Sequence, residues 1–357
     1  MTAAEAILDA RIPQDIFGEL PTDAGIAQGE VARIYRRLAR ETHPDNADGD
    51  STAFSRLTDL YQLAKRLIAA GDYHIVGLAG RTIKAKSREY TIQERWFFGD
   101  ICDTYMCSHG IIRISHLPSD NDLMKAEAMT SKKVRKEADS KWQIYFPELV
   151  DSFSIRDSSS RDRHANVFKP LLANLLVNSE SWYPLSRLIR AFPKGVDPRD
   201  AAWIWRRMLI TLGLGHDSGF VNHAALPTSF MIQPPEHGVI LLDWTCARRF
   251  GEKPTAMMPK YKGWYPQEVL DKEISDTATD IYMAALSIIQ LMGGDPLKRT
   301  LPESVPRALR AYFKACTLAS VKKRSDDAGR LLDNFDEIIE RLWGERRFRP
   351  FPVPVTI

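Results

Sequence analysis

The chain has 357 residues, of which 44% are hydrophobic and 27% are charged, and this composition is typical of a folded globular protein long enough for two domains. Lysine and arginine number 49 against 46 acidic residues, so the formal net charge of +3 predicts neither a nucleic-acid partner nor a membrane partner. No apolar segment follows a basic start, and the four cysteines form no CxxC pair; we therefore expect a cytoplasmic protein without a zinc site or a disulfide framework.

The first predicted elements are two amphipathic helices. Over residues 30–41 the apolar side chains recur at helical spacing on one face, and the opposite face carries a basic stripe of Arg33, Arg36, Arg37 and Arg40. A second helix is predicted over residues 51–68, with Ser51 or Thr52 as its N-cap. Because each helix has one face to bury, we expect the two to pack antiparallel and to leave the polar loop between them exposed.

The loop between these helices contains His43-Pro44-Asp45. Taken alone, Pro44 could simply end the helix, and the arginines could be a solvated face. Together with its flanking helices, however, the loop resembles the J-domain of the DnaJ co-chaperones over roughly residues 13–70, with residues 15–20 as a short first helix. The resemblance implies that a DnaK-type chaperone is contacted by His43, Pro44, Asp45, Arg36, Arg37 and Arg40. Helical periodicity ends after this module, and residues 73–88 are predicted to be a linker.

The remainder of the chain begins with short strands and continues with helices. Strands are predicted within residues 89–118, 145–157 and 164–168, and a helix is predicted over residues 119–138. A later helix has Asp197 as its cap and Pro198 at its first position, and a candidate hairpin follows that ends at Asp243. An aspartate in that place suits a metal ligand in a phosphoryl-transfer site, but it can equally cap a turn. The predicted class is α+β, with a small all-α helical hairpin before a bilobal domain.

This order of elements resembles the protein-kinase fold over residues 89–357, with a β-rich N-lobe over about 89–170 and an α-helical C-lobe over about 171–357. The resemblance implies a nucleotide cleft lined by Gly99, Arg113, Glu127, Ser229 and Asp243, with Asp243 as the metal ligand. It also implies structural roles for Pro266, Glu268, Asp280 and Arg324, with Glu268 and Arg324 as an ion pair. ATP and magnesium are the cofactors that such a cleft would take.

Departures from the kinase pattern decide the predicted function. The catalytic loop reads Asn222-His223-Ala224, so an alanine stands where the family has the aspartate that accepts the substrate proton. Loss of a positioned proton acceptor typically lowers a rate by roughly 10²–10⁴-fold. Arg113 replaces the ATP-binding lysine, Ser229 replaces the second metal-binding asparagine, and Gly99 is the one remnant of the glycine-rich loop. We interpret His223 as a structural polar residue and the domain as a pseudokinase.

The combined hypothesis is a cytoplasmic co-chaperone. A J-like module at residues 1–72 would recruit and stimulate a DnaK-type chaperone, while the defective kinase-like domain at residues 89–357 binds a client protein or senses a nucleotide. One alternative is an atypical phosphoryl or nucleotidyl transferase that uses Asp243 as its metal ligand. Another is a pure protein-binding scaffold whose cleft is filled by its own bulky side chains, Trp96, Phe97 and Phe98.

Overall fold

The computed structural model describes residues 2–10, 12–18, 20–21, 23–46, 49–70, 73, 81–85, 88–99, 101–156, 162–169 and 182–351. Of these residues 50% are helical and 17% lie in strands, which confirms a mixed helix-and-sheet protein. The chain divides into two compact units, one of Met1–Met124 with Asp151–Val167 and one of Lys125–Val150 with Phe168–Ile357. No helix in the described part of the chain is long and apolar enough to cross a membrane.

The first unit begins with four helices: α1 (Ala3–Asp9), α2 (Pro13–Phe17), α3 (Ala24–Thr42) and α4 (Ser51–Ala70). The two long helices, α3 and α4, are the pair predicted from the periodicity, and they bury a shared core that includes Val31, Leu57 and Leu60. The rings of Tyr35 and Tyr61 stack across the two helices with their centroids 4.1 Å apart. The helix α1 was not predicted.

The start of α4 differs from the prediction. Asp50, rather than Ser51 or Thr52, caps this helix, because its Oδ1 accepts hydrogen bonds from the backbone N–H groups of Thr52 at 2.8 Å and Ala53 at 2.9 Å. A carboxylate is as good an acceptor for the free N–H groups of a helix start as a hydroxyl. The predicted N-cap was therefore wrong by one or two residues.

A sheet of six strands follows, in the order β1-β2-β3-β4-β6-β5. The strands are β1 (Thr82–Lys84), β2 (Glu89–Phe98), β3 (Cys102–Cys107), β4 (Gly110–Ser115), β5 (Leu149–Arg156) and β6 (Asp162–Phe168). β1 to β4 pair antiparallel with their chain neighbours. β1 lies within the predicted linker, where it forms an edge strand with Thr82 opposite Thr91; residues 74–80 and 86–87 of that linker lie outside the described residues.

The second unit is mainly helical. Its helices are α5 (Asn121–Glu137, from Lys125 onward), α6 (Leu185–Ala191), α7 (Pro198–Asp217), α8 (Gln267–Leu270), α9 (Thr277–Leu291), α10 (Arg307–Cys316) and α11 (Ala328–Trp343). Short strands lie between them: β7 (Tyr183–Pro184), β8 (Phe220–Val221), β9 (Phe230–Gln233), β10 (Gly238–Leu241) and β11 (Arg248–Arg249). Nearly every residue of α9 is buried, as its predominantly apolar sequence requires.

Two local predictions for this unit match the structure. Asp197 caps α7 through a hydrogen bond from the backbone N–H of Arg199 at 2.8 Å, and Pro198 is the first helical residue. The strands β9 and β10 form the predicted hairpin, with Leu241 opposite Phe230. The hairpin delivers the chain to Asp243, where the candidate site begins.

Gly215 in α7 sets the position of the segment that follows β10. A Cβ atom built on Gly215 would lie 2.2 Å from Cη2 of Trp244, so the absence of a side chain lets the indole ring lie directly against the helix. Trp244 is fully buried, and its Nε1 donates to the carbonyl of Leu241 at 2.8 Å. This packing fixes the backbone next to Asp243.

Candidate functional site

The His43-Pro44-Asp45 loop lies at the end of α3 in the first unit. His43 is the C-cap residue; its ring meets the ring of Phe54 edge-on at 5.0 Å, and its Nδ1 accepts from the backbone N–H of Asp45 at 3.2 Å. Pro44 and Asp45 are exposed. The loop closes tightly, because a Cβ on Gly49 would lie 1.9 Å from the His43 carbonyl oxygen. Pro44 and Asp45 are therefore presented to solvent on a short, internally bonded turn, and His43 beside them is half-buried.

The predicted basic residues lie on the exposed side of α3. Arg36, Arg37 and Arg40 are all exposed, and helical spacing makes Arg36 and Arg37 neighbours of Arg40. The side-chain amide of Asn46 donates to the Arg40 carbonyl and ties the loop to the helix end. The structure therefore brings the six predicted chaperone-binding residues onto one helix end and its adjoining loop.

Gly99 and Arg113 also belong to the first unit. The Arg113 side chain is buried, and its Nε and Nη2 lie 3.3 Å and 3.1 Å from Sγ of Cys102. Gly99 occupies the turn between β2 and β3, where its N–H donates to the Cys102 carbonyl at 3.2 Å. A Cβ at that position would lie 2.5 Å from the same oxygen, which explains the glycine. The side chains of Phe97 and Phe98, which the scaffold hypothesis invoked, lie outside the described part of the chain.

The centre of the site in the second unit is Asp280, which lies in the first turn of α9 and is fully buried. Its Oδ2 accepts from the backbone N–H of Asn222 at 2.7 Å, and its Oδ1 accepts from that of His223 at 2.8 Å. Nε2 of His216 lies 3.0 Å from the same carboxylate. A buried carboxylate with several donors is strongly held. Asp280 therefore fixes the backbone of the loop that follows β8.

His223 takes a structural place in that loop. Its φ of 59° lies in the left-handed region, which is uncommon for a residue with a side chain and persists only where surrounding contacts impose it. Its Nε2 lies 2.8 Å from Oγ of Ser275. Burial lowers the pKa of His223, although the nearby charge of Asp280 acts in the opposite direction. These contacts make His223 a neutral, buried hydrogen-bonding residue.

Asn222 and Ser229 connect the loop to Asp243. Asn222 Nδ2 donates to the Asp243 carbonyl at 2.8 Å, and its Oδ1 accepts from the N–H of Ala224 at 3.0 Å. The Ser229 hydroxyl donates to the Ala224 carbonyl at 2.7 Å. Oδ1 of the half-buried Asp243 accepts from both the N–H and the hydroxyl of Thr245, at 3.0 Å and 2.6 Å. Asp243 thus stabilises the turn after β10, as one of its two sequence interpretations expected.

Glu127 contacts the same turn from α5. Its side chain is fully buried, and its Oε1 accepts from the backbone N–H of Trp244 at 3.3 Å. The ring of Phe146 lies against the Trp244 ring with 4.8 Å between centroids. Glu127 therefore joins α5 to the backbone directly after Asp243.

The predicted ion pair between Glu268 and Arg324 forms in the second unit. Oε1 of Glu268 accepts from Nη2 of Arg324 at 2.7 Å and from the Thr279 hydroxyl at 3.0 Å, within a buried environment. The Arg324 guanidinium lies 4.9 Å from the ring centroid of Tyr282. Pro266 is the N-cap residue of α8, just before Glu268. This network ties α8 and α9 to the segment before α11.

The side chains around Asp243 can be compared with the ligands that ATP-bound magnesium needs. Magnesium in nucleotide sites keeps water and phosphate ligands and needs only one or two protein carboxylates; Asp243 could supply one. Ser229 directs its hydroxyl to the Ala224 carbonyl, and within the described ranges no three His, Cys, Asp or Glu side chains group as a metal site. Asp243 could therefore supply a single carboxylate to a nucleotide-held magnesium ion, and Ala224 has no side-chain group that could accept a proton.

Comparison with known proteins adds no family assignment. No protein-family model matches the chain, and the search of curated proteins found no match. Residues 222–245 and their partners therefore have to be interpreted from their own geometry.

Two residues of the site were missed from the sequence. No role was predicted from the sequence for His216 or Ser275. Both contacts span long separations, 64 residues from His216 to Asp280 and 52 from His223 to Ser275. No local pattern could have found them.

Proposed function

We propose that this protein is a J-domain co-chaperone whose second part is a catalytically defective kinase-like domain. The observation that carries the proposal is the His43-Pro44-Asp45 turn, in which Pro44 and Asp45 are exposed and His43 is half-buried. The turn lies at the end of a helix whose exposed side carries Arg36, Arg37 and Arg40. In the J-domains that this module resembles, such a surface docks on a DnaK-type chaperone and promotes its ATP hydrolysis.

The chemistry of this surface suits that partner. Pro44 restricts the backbone of the turn, so that little conformational freedom is lost on docking. The arginines present positive charge that steers association with an acidic surface and raises the rate of encounter. The histidine and aspartate side by side, with 3.5 Å between Nδ1 of His43 and Oδ2 of Asp45, offer both a donor and an acceptor at the tip.

The kinase-like assignment of the second part is supported by the contacts around Asp280 and by the ion pair of Glu268 with Arg324. Asp280 anchors the loop that the resemblance assigns to the catalytic loop, and that loop carries Ala224 where the family has a proton acceptor. A domain with these features is suited to bind a client or a nucleotide in a reducing cytoplasm rather than to transfer phosphate.

The deciding experiment is single-turnover ATP hydrolysis by a purified DnaK-type chaperone from the same source, with and without this protein. We expect acceleration by the natural chain and its loss in both the His43→Gln and the Asp45→Asn variants. A matched control is Arg33→Gln, on the same helix, because Arg33 pairs with Glu30 within the helix. Acceleration that persists in both tip variants would contradict the proposal.

A second candidate, phosphoryl or nucleotidyl transfer, is favoured by one observation: Asp243 is only half-buried and stands directly after a buried strand. It would require magnesium-dependent nucleotide binding, and a nucleotide at a hundred times its dissociation constant would stabilise the fold by about 2.7 kcal/mol. Transfer of label from ATP that Asp243→Asn abolishes would favour this candidate. No thermal shift at millimolar ATP would remove it.

A further inference from the structure

One surface of the second unit combines exposed apolar side chains with a ring of bases. Met129 and Phe250 keep 44% and 52% of their surface exposed, which is high for large apolar residues on a folded protein. Lys132, Lys133 and Lys136 follow Met129 within two turns of α5, and Arg249 precedes Phe250 in the chain. We name these six residues the lysine-rimmed patch.

Contacts between three chain segments hold this patch together. Nη2 of Arg249 lies 3.9 Å from Sδ of Met129, which joins β11 to α5. Nζ of Lys133 donates to the carbonyl of Ser218 at 3.0 Å and lies 5.3 Å from the ring centroid of Phe220. Phe220 in turn stands opposite Arg249 in the β8–β11 pair. Met129, Lys133 and Arg249 are therefore joined across three chain segments, and the backbone N–H of Phe250 donates at 3.0 Å to the carbonyl of Gly219, the residue after Ser218.

The charge of the patch is uneven. Lys132 and Lys136 stand one helical turn apart on the exposed side of α5, where like charges weaken a helix by roughly 0.2–0.5 kcal/mol per pair. Three acids lie near the rim: Glu137, at 3.8 Å from Nζ of Lys133, Glu252, whose carboxylate accepts from the backbone N–H of Arg249, and the exposed Asp217, which precedes Ser218. With four bases against these three acids, the rim keeps a positive excess that an acidic partner would neutralise.

We propose that the lysine-rimmed patch docks an acidic peptide segment that carries one apolar anchor side chain. A small apolar centre with a charged rim is the usual anatomy of a protein-binding surface. Methionine adapts to anchors of different shape, and an aromatic ring supplies contact area at little cost in conformational entropy. Two apolar side chains are enough for one anchor but provide little area for membrane insertion, and nucleic acid would need no apolar centre. This proposal does not depend on the proposed function. Only the identification of the peptide as part of a client protein would rest on it.

The test selects peptides from a library of short random sequences displayed on phage, using the full-length protein as bait. We expect enrichment of peptides in which Asp and Glu flank a Leu or Phe. Their affinity, measured by fluorescence anisotropy, should fall about tenfold or more in Lys132→Glu/Lys136→Glu and in Met129→Ser/Phe250→Ser, as for the loss of binding hot spots. Higher salt should weaken binding to the natural chain.

The matched control is Leu297→Ser/Lys298→Glu, because Leu297 and Lys298 are also an exposed apolar residue and an exposed lysine of the second unit. This variant should bind the selected peptides like the natural chain, and thermal unfolding should show every variant to be folded. The proposal is overturned if no acidic peptides are enriched, or if the patch variants bind them unchanged. It is also overturned if phosphatidylserine vesicles or single-stranded DNA bind this patch more tightly than the peptides do. No chaperone is present, so this result is independent of the ATPase test.

Discussion

At the scale of single residues, Asp280 is the group on which most contacts of the candidate site depend. Its buried carboxylate accepts hydrogen bonds from the backbone N–H groups of Asn222 and His223 and lies 3.0 Å from Nε2 of His216. Each buried donor left without a partner costs about 1–3 kcal/mol. We expect Asp280→Ala to lower the free energy of unfolding by about 2–5 kcal/mol, measured by urea unfolding followed through tryptophan fluorescence. The exposed Asp333→Ala should change it by less than about 0.5 kcal/mol; equal values for the two variants would contradict this role.

His223 should make stability depend on pH. Burial lowers its pKa in the folded chain, whereas in the unfolded chain the pKa is about 6.5. Below that pH the unfolded state takes up a proton that the folded state does not, so the free energy of unfolding falls as the pH drops from about 7 to 5. His223→Asn should reduce this loss of stability at low pH, because asparagine tolerates the left-handed backbone but does not take up a proton. An unchanged fall in the His223 variant would refute the assignment.

At the scale of elements, α7 can pack against the turn after β10 only because residue 215 is a glycine. Gly215→Ala would drive a methyl group into the Trp244 ring and should destabilise the protein by about 1–3 kcal/mol, as overpacking does. Gly213, two residues earlier in the same helix, is the matched control, because a Cβ there would lie 3.7 Å from Ala328 Cβ in ordinary contact. Gly213→Ala should be neutral or stabilising by up to about 1 kcal/mol. Urea unfolding of the two variants measures the difference; equal effects would contradict the packing argument.

At the scale of the whole molecule, the proposed chaperone surface and the lysine-rimmed patch belong to different compact units, so their functions should separate. We expect His43→Gln to abolish stimulation of the chaperone and to leave peptide affinity unchanged. Lys132→Glu/Lys136→Glu should do the reverse. Both variants can be measured in both assays with the full-length chain. If each variant impaired both activities, the two surfaces would have to act as one.

The elements whose signals are local could be predicted from the amino-acid sequence. The helices α3 and α4 follow from apolar spacing within a few turns, and Asp197 with Pro198 marks the start of α7. The β9–β10 hairpin follows from two apolar runs joined by a proline-containing turn. These predictions match the structure because helix periodicity and capping depend on residues only a few positions apart. Two misses show the limit of such signals. The strand β1 is only three residues long, which is too short for a clear alternation of apolar and polar side chains. The cap of α4 is Asp50, although Ser51 and Thr52 beside it are also good capping residues.

Which side chains contact one another depends on how distant segments pack. Asp280 accepts a hydrogen bond from the backbone N–H of Asn222, which is 58 residues away in the chain. Glu127 accepts one from the backbone N–H of Trp244, which is 117 residues away. The resemblance to known families placed Asp280, Glu268 and Arg324 in expected roles, but it did not indicate His216, Ser275 or the contact of Met129 with Arg249. Such partners are selected by burial and by the need to satisfy buried polar groups. That need arises when distant segments pack together, and no local pattern in the sequence records it.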